Sequence, residues 1–384
     1  VAKISRVGGF MQLPENAKLI LDLLEKNGFK AYIVGGFVRD SLMGVMSNDC
    51  DITTNATPKQ IIDIFSDYKV VETGIKHGTV TVIINKTGYE ITTYRIDGKY
   101  LDNRKPNQVV FTAKLEDDLK RRDFTINAMA YNKTIVDIFG GAEDINNKIV
   151  RCVGNPYERF KEDALRILRA LRFAATLDFY IENKTLMAIK ECTPLLKNLS
   201  KERITSEVFG MLGGNLNNLP IEPFLFLGCK KNNIGLAKKS NPDILVRFVL
   251  LGFDLSFFSL TKIQKEQINL LNKYKNMPFE KADIFKRLNI LDKELCYKLI
   301  EIKEILEEKS YLTIKKEIDS IIFHNTPYRI SQLDINGNDL INIGCPIGKF
   351  VGNILEEILD KVESNIINNN KNEILEYVIL HKLF

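Results

Sequence analysis

The hydrophobic periodicity of this chain changes character once, near residue 157, and that change sets its fold class. Before it, short runs of apolar and β-branched residues are interleaved with brief helical patterns and punctuated by glycines, as in Gly35-Gly36 and Gly140-Gly141. After it, apolar residues recur every three to four positions almost to the end, the spacing of helices that bury one face. The pattern predicts an α+β protein: a mixed sheet with helices over residues 1–150, then helices over the rest of the chain.

Within the first part, Pro14 to Asn27 reads as a helix stopped by Gly28, and Lys30 to Val34 as a strand. Gly35-Gly36 turns that strand into a short helix closed by Gly44, and Asp49 to Thr53 reads as a second strand. Thr57-Pro58 opens a helix to about Phe65, because threonine caps and proline suits the first helical position. Thr79 to Ile84 and Tyr89 to Arg95 read as strands joined by a turn at Lys86-Thr87-Gly88. Downstream, helices are expected over 157–177, 184–192, 201–213, 242–253, 262–275, 279–289, 293–307, 311–324, 348–367 and 371–381.

Composition narrows the function classes. Hydrophobic residues at 45% and charged residues at 27% exclude a disordered or fibrous chain. No stretch approaches the roughly 20 uncharged apolar residues of a membrane span. Lys3 and Arg6 are not followed by the apolar block of a signal peptide, so a cytoplasmic location is expected. Six scattered cysteines without a CxxC pair argue against a zinc site or disulfide scaffold and for reduced structural thiols. A net charge of +5 permits a polyanionic partner if the charge gathers on one face.

Several short constellations carry chemistry. Asp49 and Asp51, two apart on an expected strand, would project from one face and could share Mg²⁺. Just upstream, Val34-Gly35-Gly36-Phe37-Val38-Arg39-Asp40 places two glycines between a strand and a helix, where backbone N–H groups and Arg39 could grip a triphosphate. Glu90 could supply a third carboxylate; an edge-strand glutamate left in solvent is the plainer alternative. His77 reads as a turn residue, and His324 and His381 carry no sharper signal. Arg121-Arg122-Asp123 with Asn127 suits ribose hydroxyls and phosphates, or else a solvated helix start.

The segment Arg159 to Arg172 is the most informative. On a continuous helix Asp163, Arg166, Arg169 and Arg172 would wind along one face opposite Ala164, Ile167, Leu168 and Leu171. Solvated i,i+3 pairs are one reading. The other is recognition of a base: cytosine and adenine both present an exocyclic amine beside a ring-nitrogen acceptor. An aspartate accepting from the amine and an arginine donating to the ring nitrogen would take either and mismatch uracil and guanine.

Gly35-Gly36-x-x-Arg39-Asp40, Asp49-x-Asp51, Arg121-Arg122-Asp123, Asp137-Ile138-Phe139-Gly140-Gly141 and Glu162-Asp163-x-x-Arg166 stand in an order that resembles the class II CCA-adding tRNA nucleotidyltransferases. Lys201-Glu202-Arg203-Ile204 with Glu207 looks like that family's fifth motif. The resemblance covers the first 215 residues closely and continues faintly at Ile335 to Leu340 and Pro346 to Gly348; Ile138 stands where many members carry proline.

The resemblance implies a polymerase-β-like head over 1–150, a helical neck over 151–215 for base recognition, and a helical body and tail over 216–384 for the tRNA acceptor arm. It implies template-free addition of C, C and A to tRNA from CTP and ATP, with Mg²⁺ at Asp49 and Asp51 and no membrane or stable protein partner. It places Asp163 and Arg166 on the incoming base and Arg122 and Asp123 on its ribose. The charged segment from Ile96 to Pro106 matches a loop that members adding only CC lack. Competing readings are a poly(A) polymerase, a relative adding only CC or only A, and a non-catalytic RNA-binding protein.

Overall fold

The computed structural model describes residues 11–47, 49–97 and 109–384. They form two compact units, one of residues up to 238 with 252–259, the other of 239–251 with 260–384.

The first unit begins with helix α1 (Glu15–Lys26), which buries Ala17, Ile20, Leu21 and Leu24 at the expected helical spacing. Strand β1 (Ala31–Val34) leads through Gly35 into α2 (Gly36–Leu42), and β2 (Asp51–Thr54) returns antiparallel to it. Helix α3 (Pro58–Ile64) starts with a reciprocal cap between Thr57 and Gln60. Strands β3 (Lys69–Val71), β4 (Thr79–Ile84) and β5 (Thr87–Thr93) follow, then β6 (Arg95–Asp97) and β7 (Val109–Phe111), which pair with each other. After α4 (Leu115–Lys120), β8 (Met129–Asn132), β9 (Thr134–Asp137) and α5 (Gly141–Asn146) complete the head.

The main sheet has seven strands in the order β3-β4-β5-β2-β1-β8-β9. Its one parallel pairing, β2 with β5, sets Ile52 opposite Ile91. One residue earlier on both strands stand Asp51, the first residue of β2, and Glu90, in the middle of β5, so the register sets these acids side by side on adjacent strands. Glu90 therefore lies on an interior strand, not on an edge.

Two expectations need correction here. The second strand starts at Asp51, so Asp49 precedes the strand instead of sharing its face. The uninterrupted helix expected over 157–177 is two helices, α6 (Pro156–Glu162) and α7 (Leu165–Leu177), with Asp163 extended between them at φ −139° and ψ 105°. Asp163 Oδ1 accepts the Leu165 N–H at 3.0 Å and satisfies one donor of the new first turn, which supports a restart at that point. Short strands β10 (Ile149–Val150) and β11 (Tyr180–Ile181) flank these helices. Helices α8 (Asn183–Cys192) and α9 (Lys201–Leu212) follow, and then two short ones, α10 (Glu222–Phe226) and α11 (Lys231–Lys239), that the periodicity did not reveal.

The second unit is helical: α12 (Ile244–Leu251), α13 (Lys262–Tyr274), α14 (Ile284–Glu307), α15 (Leu312–Phe323), α16 (Gly337–Asn342), α17 (Lys349–Glu363) and α18 (Lys371–Leu380). The expected gap between helices near residue 291 is present as a break in α14 at Asp292, whose φ is +64°. Leu340, Ile354, Ile358, Ile374 and Val378 belong to a core cluster of their own near the C-terminal end. All six cysteines are buried and unpaired, and no described helix is long and apolar enough to cross a membrane.

Candidate active site

Asp49 and Asp51 flank Cys50, whose side chain turns into the core and whose thiol burial pushes up to about 12. The two carboxylates are left in contact with solvent on either side of it. Asp51 is pushed up to about 6, by partial desolvation first and then by the like charges of Asp49 and Glu90, with Arg122 opposing. A proton or a cation would relieve that repulsion. Among the described residues no group of three His, Cys, Asp or Glu converges to hold a metal unaided, so Glu90 acts on Asp51 through its field without completing a protein cage. Two carboxylates that leave room for substrate oxygens and water fit Mg²⁺, which is commonly bound through one or two carboxylates plus phosphates.

At the end of β1, Gly35 takes φ +75° and ψ −132°, a conformation open to glycine. A Cβ there would also stand 3.2 Å from Arg122 Nη1. The Gly35 N–H donates to the Met129 carbonyl at 3.4 Å, so this part of the expected phosphate cradle is already engaged. Arg39 donates to Asp40 and to Asn127 Oδ1, both at 2.8 Å, and Asn127 in turn donates to Asp123 Oδ1 at 3.3 Å. The structure thus brings Gly35, Gly36, Arg39, Arg122, Asp123 and Asn127 into one neighbourhood.

Arg121 and Arg122 both point to Asp118, a fully buried carboxylate on α4. Burial alone would raise Asp118, yet the two guanidiniums hold it below the usual carboxylate range. Asp123 Oδ2 accepts from Arg169 Nε at 2.8 Å, and there too the arginine overrides burial and keeps the acid low. Arg172 Nε donates to Glu207 on α9 at 2.6 Å. Arg39, Arg169 and Arg172 all stand over the ring of Phe173, at 5.3, 5.2 and 4.4 Å from its centroid.

The solvated arginine face is therefore overturned. Arg166 is buried, donating to Glu162 at 2.8 Å and to the Arg121 carbonyl at 3.0 Å. Asp163 Oδ2 meets Arg203 of α9 at 2.7 Å. Asp137 uses both oxygens to accept the Gly141 and Ala142 N–H groups at 2.9 Å, the local role of its motif. His77 lies in the short helical turn Ile75–His77 as expected. Residues 98–108, most of the expected loop, lie outside the described residues. Asp118 and Phe173 were missed by the sequence reading, although Asp118 stands three and four residues before Arg121 and Arg122, the spacing of helical ion pairs.

The family model for "Poly A polymerase head domain" matches residues 31–151, "Probable RNA and SrmB- binding site of polymerase A" matches 178–215, and a model of tRNA nucleotidyltransferase domain 2 matches 258–378. The CCA-adding enzyme of Enterococcus faecalis is 36% identical over 392 residues, covering 94% of this chain and 95% of that one. That of Pediococcus pentosaceus is 50% identical over 213 residues, 55% of this chain and 53% of its own. The crystal structure of the Bacillus stearothermophilus CCA-adding enzyme in complex with CTP superposes with a TM-score of 0.80 at 30% identity, over 97% of this chain and 98% of that one. With end-to-end likeness in both sequence and fold, the chain belongs to the CCA-adding enzyme family of tRNA nucleotidyltransferases.

Proposed function

We infer that this chain adds C, C and A to the 3′ end of tRNA from CTP and ATP, without a nucleic-acid template, releasing pyrophosphate. The observation that carries the reading is the pairing of mutually repelling acids, at the start of β2 and on neighbouring β5, with the arginine-lined Gly35 turn, in a chain of this family. A divalent cation held by Asp49 and Asp51, Mg²⁺ in this reading, would supply charge neutralisation at the phosphates and activation of the attacking 3′-hydroxyl. Arg39 offers a guanidinium to the triphosphate, Arg122 offers one to the ribose and the phosphates next to it, and Asp123 and Asn127 offer an acceptor and an amide to the ribose. Asp163 has about four acceptor sites, of which Leu165 and Arg203 engage two, so acceptor capacity remains for an exocyclic amine.

In this reading residues 1–150 form the catalytic head, 151–215 the base-recognising neck and 216–384 the tRNA-holding body and tail. The reaction is placed in the cytoplasm, with tRNA. The direct test supplies labelled CTP and ATP, separately and together, to tRNA lacking its 3′ CCA. Two C then one A is the expected product. A long A tail from ATP alone would favour a poly(A) polymerase, whose head the matched model describes. Replacing residues 97–105 by a few glycines is expected to leave a product ending in CC, and equal loss of C and A addition would refute that role for the segment.

A further inference from the structure

We propose that Asp118 is a positioning residue for nucleotide binding: it holds Arg122 against the Gly35 turn and keeps that guanidinium from collapsing onto the acids of β2 and β5. The proposal rests on the nucleotidyl-transfer reading above and adds a residue that none of the motifs includes.

Asp118 is fully buried on α4, and both its oxygens are in use. Oδ1 accepts from Arg121 Nε at 3.0 Å and Nη2 at 2.7 Å. Oδ2 accepts from Arg122 Nη2 at 3.3 Å and lies 3.3 Å from the Thr53 hydroxyl. Thr53 is itself buried on β2, two residues beyond Asp51 on the same strand face, and its hydroxyl also reaches the Thr92 carbonyl of β5 at 3.1 Å. One carboxylate therefore ties the strand pair that carries Asp51 and Glu90 to the cation that lies over Gly35.

Arg122 has a second set of acids nearby, since it shares Asp118 Oδ2 with Thr53, which stands two residues from Asp51 on the same face of β2. Asp49, Asp51 and Glu90 together outnumber Asp118. What keeps Arg122 from them is the fixed bond to a carboxylate whose own position is set by Arg121 and Thr53. With that carboxylate neutralised, Arg122 would be drawn to the unpaired acids and lost to an incoming triphosphate. Because phosphates are common to both substrates, the effect falls on CTP and ATP alike.

Asp118→Asn keeps the size and removes the charge. Measured on tRNA lacking its 3′ CCA for CTP, and on tRNA ending in CC for ATP, the variant should raise both KM values by the same factor, about tenfold, with kcat changed by less than about threefold. Arg122→Ala should give a similar rise, and the double variant no further one, because both changes remove the same contact. Additive effects, unequal effects on the two nucleotides, or a fall in kcat at unchanged KM would overturn the proposal. If Asp118→Asn proves unstable, Thr53→Val removes one partner from Oδ2 and should raise both KM values about twofold; unchanged values there overturn it as well. Equilibrium binding of CTP without tRNA separates the two inferences. A wild-type chain that binds CTP but incorporates nothing sinks the reaction, whereas equal CTP affinity in wild type and Asp118→Asn sinks the role of Asp118.

Discussion

Where the first residue of β2 lies beside the middle of β5, Asp49, Asp51 and Glu90 stand together with Arg122 as the opposing charge, and Asp51 is pushed up to about 6. Beneath the Gly35 turn and along α7, by contrast, Asp118, Asp123, Asp163 and Glu207 each meet at least one arginine within 3.3 Å. The same residue types are electrostatically strained in one place and satisfied in the other. Satisfied pairs build a rigid frame, whereas several acids left uncompensated side by side, next to arginines, can receive a charged ligand. The contrast can be broken or sharpened by substitutions on either side of it.

The largest effect is expected on the strained side. Asp49→Ala or Asp51→Ala should cut both C and A incorporation by about a thousandfold or more if, as proposed, these carboxylates hold the metal for phosphoryl transfer. Binding of tRNA, followed by gel shift, should stay within about twofold of wild type. Turnover near the wild-type rate in Mg²⁺ would remove the acids from the mechanism.

On the satisfied side, Arg169→Ala leaves Asp123 with Asn127 but without its cation and should destabilise the first unit by about 3 kcal/mol, read by urea unfolding. A change below about 1 kcal/mol would mean that solvent replaces the arginine and that the frame is softer than its contacts imply.

Asp163 stands between the two groups, held by Arg203 yet assigned to the base. Asp163→Ala should let UTP or GTP compete, at a loss of about 1–3 kcal/mol of discrimination, measured with all four nucleotides in one reaction. Slow turnover with unchanged selectivity would place Asp163 wholly in the frame.

The smallest effect is a control for strain without ligand chemistry. In the second unit Glu363, on the wall of a cleft that it shares with His324 and Asn369, is pushed up to about 7 by burial and then by Asp360. Its folded value lies above the unfolded one, so its contribution favours folding at low pH and is lost as pH rises from about 4.5 to 7. Glu363→Gln should therefore stabilise the protein by about 1 kcal/mol at pH 8 and leave it unchanged at pH 4.5, with catalysis unaffected. A variant no more stable at pH 8 would show that water already compensates the charge.

Much of this contrast was legible in the sequence, and the reasons for the rest are physical. The α+β class and most long helices follow from periodicity, and the site motifs follow from residues close in the chain. The strand β8 escaped notice because Met129, Ala130 and Tyr131 are all buried, which removes the alternation that announces a strand. The break at Asp163 escaped because Glu162, Asp163 and Ala164 contain no proline or glycine, and the side-chain cap onto Leu165 shows only in three dimensions. The arginines of α7 looked solvated because their partners, Asp123 and Glu207, lie 46 and 35 residues away. Long-range charge pairing has no local period to read.

The straps that join α7 to its neighbours also constrain how the chain can drift over generations. Arg169 with Asp123 and Arg172 with Glu207 reach α7, Arg203 with Asp163 ties the break just before it to α9, and Arg169 also comes within 3.6 Å of Glu207, so losing one member leaves a charge short of a partner. A lineage can keep each couple, or replace both members together, but the single-step intermediates cross a valley several kcal/mol deep. Substitutions at these six positions should therefore be inherited in pairs, and a bench swap that exchanges acid for base within one couple tests the same barrier directly.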